Sequence, residues 1–172
     1  MPSDLDNLEI YRRNLPHWRA DHVTYFVTWR IHKTNAPLEP AERTIVAAAI
    51  EYFHTSRYWL ISYVVMDDHV HVLVRLSEGA TLQSAVHSWK SYAANQLHRT
   101  LARESKVWQD EYLDHIVRSA AELHNTIQYI EANPIKRWPD TQEYPWQENL
   151  QDLTFTSYSS PAATSSTHSS HP

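Results

Sequence analysis

Tyr63-Val64-Val65-Met66-Asp67-Asp68-His69-Val70-His71-Val72-Leu73-Val74-Arg75-Leu76 reads as two β-strands folded back at Asp67-Asp68. In the second strand Val70, Val72, Val74 and Leu76 share one face, while His69, His71, Leu73 and Arg75 share the other. The aliphatic row requires a hydrophobic cover. The two imidazoles, at i and i+2, point together towards the opposite side.

Upstream, Val23 to His32 alternates as a strand, with Val23, Tyr25, Val27, Trp29 and Ile31 on one face. Asn35-Ala36-Pro37 turns the chain. Pro40 and Glu42 suit the first turn of a helix whose stripe is Ile45, Val46, Ala49, Ile50 and Phe53. Downstream, Gly79 is the chain's single glycine and marks a turn. A long amphipathic helix is expected from about Thr81 to Arg103, with Leu82, Val86, Trp89, Ala93 and Leu97 inward, then a short fourth strand from Glu111 to Arg118. A last helix starts after Ser119, an N-cap with Glu122 at the third helical position. It is expected to end near Asn133, because a residue before proline is biased away from α geometry.

The resulting order, β-α-β-β-α-β and then a helix, predicts an α+β chain. Its core is a ferredoxin-like four-stranded antiparallel sheet with helices on one face. If those helices cover the valine row, His69 and His71 lie on the face they leave open. Residues 1–20 read as a polar, Arg-containing arm, 21–147 as the folded domain and 148–172 as a disordered tail. From Thr156 to Pro172, ten of 17 residues are Ser or Thr.

The 172 residues suffice for one domain with a sizeable core. Absence of cysteine excludes thiolate metal sites and thiol nucleophiles and fits a reducing compartment. No apolar run approaches the roughly 20 residues that span a bilayer, and the N-terminus lacks a signal-peptide pattern; a cytoplasmic protein without a membrane partner is expected. Net charge is -5, but four acidic residues and no Lys or Arg follow Pro139. The rest holds 16 acidic against 15 basic residues. Local basic segments, such as Arg12 to Lys33 with five basic residues and one acidic, leave room for a phosphate-rich partner.

Two histidines on one open strand face make part of a metal site, since imidazole nitrogens ligate divalent cations. Among 12 histidines such a pair also arises by chance. The last helix adds weight. Its apolar stripe is Ala120, Leu123, Ile127 and Ile130, whereas Tyr129 shares the polar side with Glu122, Thr126 and Asn133. A divalent cation on His69, His71 and an oxygen ligand such as Asn133 could polarise a phosphodiester. The Tyr129 hydroxyl would then attack phosphorus. A covalent phosphotyrosine conserves the energy of the broken bond, which suits strand transfer better than hydrolysis.

Val65-Met66-Asp67-Asp68-His69-Val70-His71-Val72-Leu73-Val74 resembles the metal-binding signature of the single-tyrosine HUH transposases. Tyr129-Ile130-Glu131-Ala132-Asn133-Pro134-Ile135-Lys136 is similar to the nucleophile helix of their REP-associated tyrosine branch. Leu15-Pro16-His17-Trp18, Tyr25-Phe26-Val27-Thr28-Trp29-Arg30, Lys90-Ser91-Tyr92, Val107-Trp108-Gln109 with Tyr112, and Glu143-Tyr144-Pro145-Trp146 extend the resemblance in order and spacing. One departure is Lys136-Arg137-Trp138-Pro139, where members usually carry a glycine after Asn-Pro.

The resemblance implies a DNA transposase with residues 21–147 as its HUH domain and the last helix carrying the nucleophile. It implies Mg²⁺ or Mn²⁺ on His69, His71 and Asn133, with Tyr129 forming a 5′-phosphotyrosine. The implied partner is single-stranded DNA or hairpin DNA from imperfect palindromic repeats. Arg12, Arg13, Arg19 and Lys90 are candidates for phosphate contacts, and Trp18 for stacking on an unpaired base. The chain would work as a monomer or a homodimer, with Tyr129 completing its own site or a partner's. The competing readings are a catalytically inactive ferredoxin-like nucleic-acid-binding module and a metal-dependent hydrolase that does not use Tyr129.

Overall fold

A computed structural model of the chain describes residues 23–101, 103, 104 and 106–150. Arg12, Arg13, Trp18, Arg19 and the Ser/Thr-rich stretch lie outside the described residues. The element order is β1 (Thr24–Ile31), α1 (Pro40–Glu51), β2 (Tyr58–Val65), β3 (His69–Leu76), α2 (Leu82–Leu101), β4 (Trp108–Val117), α3 (Ala120–Arg137) and β5 (Gln147–Asn149). The strands form one antiparallel sheet in the order β4-β1-β3-β2-β5. The first four are the ferredoxin-like sheet expected from the element order. In its middle His71 stands between Thr28 of β1 and Val64 of β2.

The aliphatic row of β3 has the cover it requires. Val70, Val72 and Val74 are fully buried in one cluster with Ile50 of α1 and Val86, Trp89 and Leu97 of α2. The Trp29 and Trp89 rings stack there with centroids 5.8 Å apart. Tyr58 and Trp89 pair their polar groups within this layer. The Tyr58 hydroxyl donates to the Ile50 carbonyl at 2.6 Å and accepts from Trp89 Nε1 at 2.7 Å. The helix starts follow their local chemistry. Pro40 opens α1 while the Glu39 amide donates to Glu42 Oε2 at 2.8 Å, and Ser119 Oγ accepts from the Glu122 amide at 3.1 Å.

Three boundaries differ from the sequence reading. β4 begins at Trp108, three residues before Glu111, because Val107 and Trp108 are buried in the core. α3 runs through Pro134 to Arg137 instead of stopping near Asn133. Proline inside a helix costs about 3 kcal/mol, and here tertiary contacts offset it: Pro134 is itself buried, and Arg137 pairs with Asp67. Finally, Gln147–Asn149 pair with β2 as a fifth strand, so the sheet continues past residue 147. That strand lacks an apolar alternation. Its register is held by Ser62 Oγ donating to the Glu148 carbonyl at 3.0 Å and the Leu150 amide donating to Ile61 O at 2.8 Å.

Tyr58→Phe leaves the Trp89 indole N–H and the Ile50 carbonyl buried without their partner. A loss of about 1–3 kcal/mol in unfolding free energy is expected, read by urea denaturation; an unchanged midpoint would show that neither group depends on the hydroxyl.

Candidate active site

α3 lies on the sheet face opposite α1 and α2. Ile127 and Ile130 enter a second apolar cluster with Phe26, Ile61, Val64, Met66 and Leu73. The side of α3 that reads as polar is thereby turned towards the histidines. The Tyr129 ring centroid lies 5.2 Å from that of His71 and 6.1 Å from that of Phe26. The His69 and His71 centroids are 4.6 Å apart. Asn133, one turn beyond Tyr129, is buried. The tyrosine and both histidines thus meet within a single chain.

Both imidazoles are oriented by hydrogen-bonding neighbours. His71 Nδ1 lies 2.7 Å from Thr28 Oγ1, and its Nε2 is buried without a partner. The tautomer that donates Nδ1–H to Thr28 leaves Nε2 as a buried lone pair without a partner. Burial pushes the His71 pKa well below the usual histidine range, and the charges of His69 and Arg30 act in the same direction. His71 is therefore a neutral imidazole, the form that ligates metal. His69 Nδ1 is 2.5 Å from Asp68 Oδ1, which orients the ring and leaves Nε2 as its second donor. Hydrogen bonding to His69 in turn holds the Asp68 carboxyl below the usual carboxylate range.

Asn133 Nδ2 donates to the Tyr129 carbonyl at 2.7 Å. With the nitrogen committed to the helix, the amide offers Oδ1. Among the described residues no three His, Cys, Asp or Glu side chains cluster as a metal site, so a third protein ligand to a cation here would come from outside that set. An orphaned imidazole nitrogen, a second oriented imidazole and an amide oxygen fit a divalent cation of intermediate hardness.

Other residues position this set, and sequence reasoning missed them. Arg137 Nη2 pairs with Asp67 Oδ2 at 2.9 Å, tying the last turn of α3 to the hairpin turn beside His69. The Tyr144 hydroxyl donates to Val65 O at 2.7 Å and accepts from Arg43 Nη1 at 3.0 Å. Lys136 Nζ lies 5.0 Å from the centroid of the Tyr129 ring. Thr28 becomes visible only through the β1–β3 register, whereas Asp68 was readable as a neighbour of His69 but passed for a turn residue. Lys90 has partners away from the histidines: its ammonium donates to the carbonyls of Gln109 and Asp110, at 2.8 and 3.1 Å, from the α2 side of the sheet.

Residues 19–133 match the family described as Transposase IS200 like. The chain belongs to this family. IS200-like transposases are DNA-processing enzymes, and the histidine pair and Tyr129 both fall within the matched span. Among curated relatives, a REP-associated tyrosine transposase of Escherichia coli K12 is 22% identical over 136 residues, 78% of this chain and 76% of that protein. A putative REP-associated tyrosine transposase of Haemophilus influenzae is 28% identical over 86 residues; the match spans 44% of this chain and about half (49%) of the relative's length. A REP-associated tyrosine transposase solved with a REP hairpin superposes with a TM-score of 0.65 at 19% identity, over 86% of this chain and 89% of that one. This IS200-like transposase therefore shares that protein's fold.

In an unfolded chain an imidazole takes up a proton near pH 6.5, whereas folded His71 does so only at lower pH. The unfolded state binds the proton first, so stability falls as pH drops below about 6.5. Denaturation of the metal-free protein at about pH 7 and pH 5 is expected to show a smaller acid loss in His71→Gln than in the wild type. Equal losses would contradict a buried neutral His71.

Proposed function

We propose that the chain nicks and rejoins single-stranded DNA at hairpin-forming palindromic repeats, through a covalent 5′-phosphotyrosine on Tyr129. The observation that carries this reading is the docking of α3: it sets Tyr129 against His71, whose Nε2 is buried and unpartnered. His69, His71 and Asn133 would hold Mg²⁺ or Mn²⁺. Such a cation supplies Lewis-acid stabilisation of charge on a phosphodiester oxygen.

The chain's own residues do the rest. Tyr129 Oη attacks phosphorus, the bond to the 3′ oxygen breaks, the phenolic proton passes to solvent and the leaving oxygen takes up a proton as a 3′-hydroxyl. Attack of another 3′-hydroxyl on the phosphotyrosine reverses these steps and joins strands. Ile127 and Ile130 keep the tyrosine on the histidine face, and Asp68 and Thr28 orient the imidazoles. The hairpin substrate is supported by the shared fold with the transposase solved on a REP hairpin. Arg12, Arg13, Arg19 and Trp18 in the N-terminal arm are proposed DNA contacts, with Lys90 contributing through the strand segment it holds. Action in the cytoplasm belongs to the same reading; no helix among the described residues is long and apolar enough to cross a membrane.

Incubating the protein with single-stranded hairpins from its own genome and Mn²⁺ or Mg²⁺ is expected to give a denaturation-resistant protein–DNA adduct. Tyr129→Phe should abolish the adduct. Hairpin binding that survives His71→Ala without any adduct in the wild type would instead identify a binding module.

A further inference from the structure

The geometry points to Arg30 as the residue that clamps the scissile phosphate, through its guanidinium and a non-bridging phosphate oxygen. This rests on the strand-transfer reading above and adds a catalytic residue to it. Arg30 is the β1 partner of His69 in the β1–β3 register, and directly opposed residues point to the same sheet face. Its guanidinium therefore emerges beside the histidine pair. The side chain is 55% exposed, and Arg30 Nη1 makes one long contact, 3.4 Å, with Asp68 Oδ2. The other oxygen of that carboxylate orients His69. Asp68 thus holds an arginine and a metal-ligand histidine side by side, with most of the arginine's planar donor fork still turned outward.

The backbone next to Arg30 is also irregular. β1 pairs with β4 at Trp29↔Tyr112 and Ile31↔Trp108, so Arg30 alone stands where β4 has Gln109, Asp110 and Glu111. Such a bulge takes one strand away from its neighbour and re-aims side chains, and bulges concentrate next to active sites. Lys90 holds this one in place from the α2 side by binding the carbonyls of Gln109 and Asp110. Gln109 Nε2 closes it by donating to Ile31 O at 3.1 Å. The sheet is therefore opened on one side of Arg30 and carries the histidines on the other.

A phosphodiester entering beside Tyr129 brings one negative charge, which grows over the non-bridging oxygens as the Tyr129 Oη–P bond forms and the P–O3′ bond breaks. A bidentate guanidinium stabilises that charge. The ion pair with Asp68 is exposed and contributes little to the fold, so Arg30→Gln leaves the protein folded.

The test compares wild type and Arg30→Gln on a hairpin that gives the wild-type adduct, made either with the normal scissile phosphodiester or with an uncharged methylphosphonate there. On the phosphodiester, adduct formation by Arg30→Gln is expected to fall by about 10²-fold or more. On the methylphosphonate the two proteins should react at closely similar rates, because the resting negative charge that the guanidinium offsets is absent. Mn²⁺ affinity, titrated by electron paramagnetic resonance without DNA, should be unchanged or higher in Arg30→Gln, since a cation has been removed beside the metal ligands. An undiminished rate on the phosphodiester overturns the proposal. So does a loss of Mn²⁺ affinity that parallels the rate, which would make Arg30 act only through Asp68 and His69. No wild-type adduct on any hairpin rejects the strand-transfer reading itself, a different failure from either of these.

Discussion

Ile127 and Ile130 of α3 press against Phe26, Val64 and Leu73 on the sheet face that α1 and α2 leave uncovered. Fully burying an isoleucine side chain is worth about 1.5–3 kcal/mol, so this contact is strong enough to fix which way α3 faces. Everything chemical depends on that choice. With the two isoleucines down, Tyr129 turns to His71 and Asn133 is buried one turn further on. Had the same helix joined the valine side, the tyrosine and the histidines would be separated by the sheet.

β3 is therefore a strand with two different dry faces. The valine face is closed by ordinary packing, with the Tyr58 hydroxyl and the Trp89 indole N–H paired. On the other face the same degree of burial is applied to an imidazole, and one nitrogen is left without a partner. An unpaired buried polar group is destabilising by about 1–3 kcal/mol, and the fold tolerates it at the place where a cation would remove the cost. The Asp67–Arg137 pair and the Tyr144–Val65 bond reinforce the arrangement by tying the hairpin turn to α3 and to the segment that follows it.

The strands and the histidine pair were legible because period-two alternation is explicit in Val70 to Leu76. The face that α3 turns to the histidines was legible because Tyr129 stands off the helix's own apolar stripe. What escaped depended on partners far along the chain. Pro134 is a local stop signal that tertiary contacts override. Gln147–Asn149 has no pattern of its own, and its pairing is imposed by Ser62 and Ile61 of β2. Thr28 and Arg30 read as ordinary strand residues until the register sets them beside His71 and His69. Lys90 read as a candidate phosphate contact; in the fold its ammonium donates to backbone carbonyls of β4.

The central claim is that one chain alone assembles the cation site and the nucleophile. Its most direct test is a crystal structure grown with Mn²⁺, with the metal located by anomalous scattering. A single cation bound by His69 Nε2, His71 Nε2 and Asn133 Oδ1, with Tyr129 of the same chain at the site, is the expected result. A cation bound elsewhere, or a site completed by the tyrosine of a second copy, would contradict it.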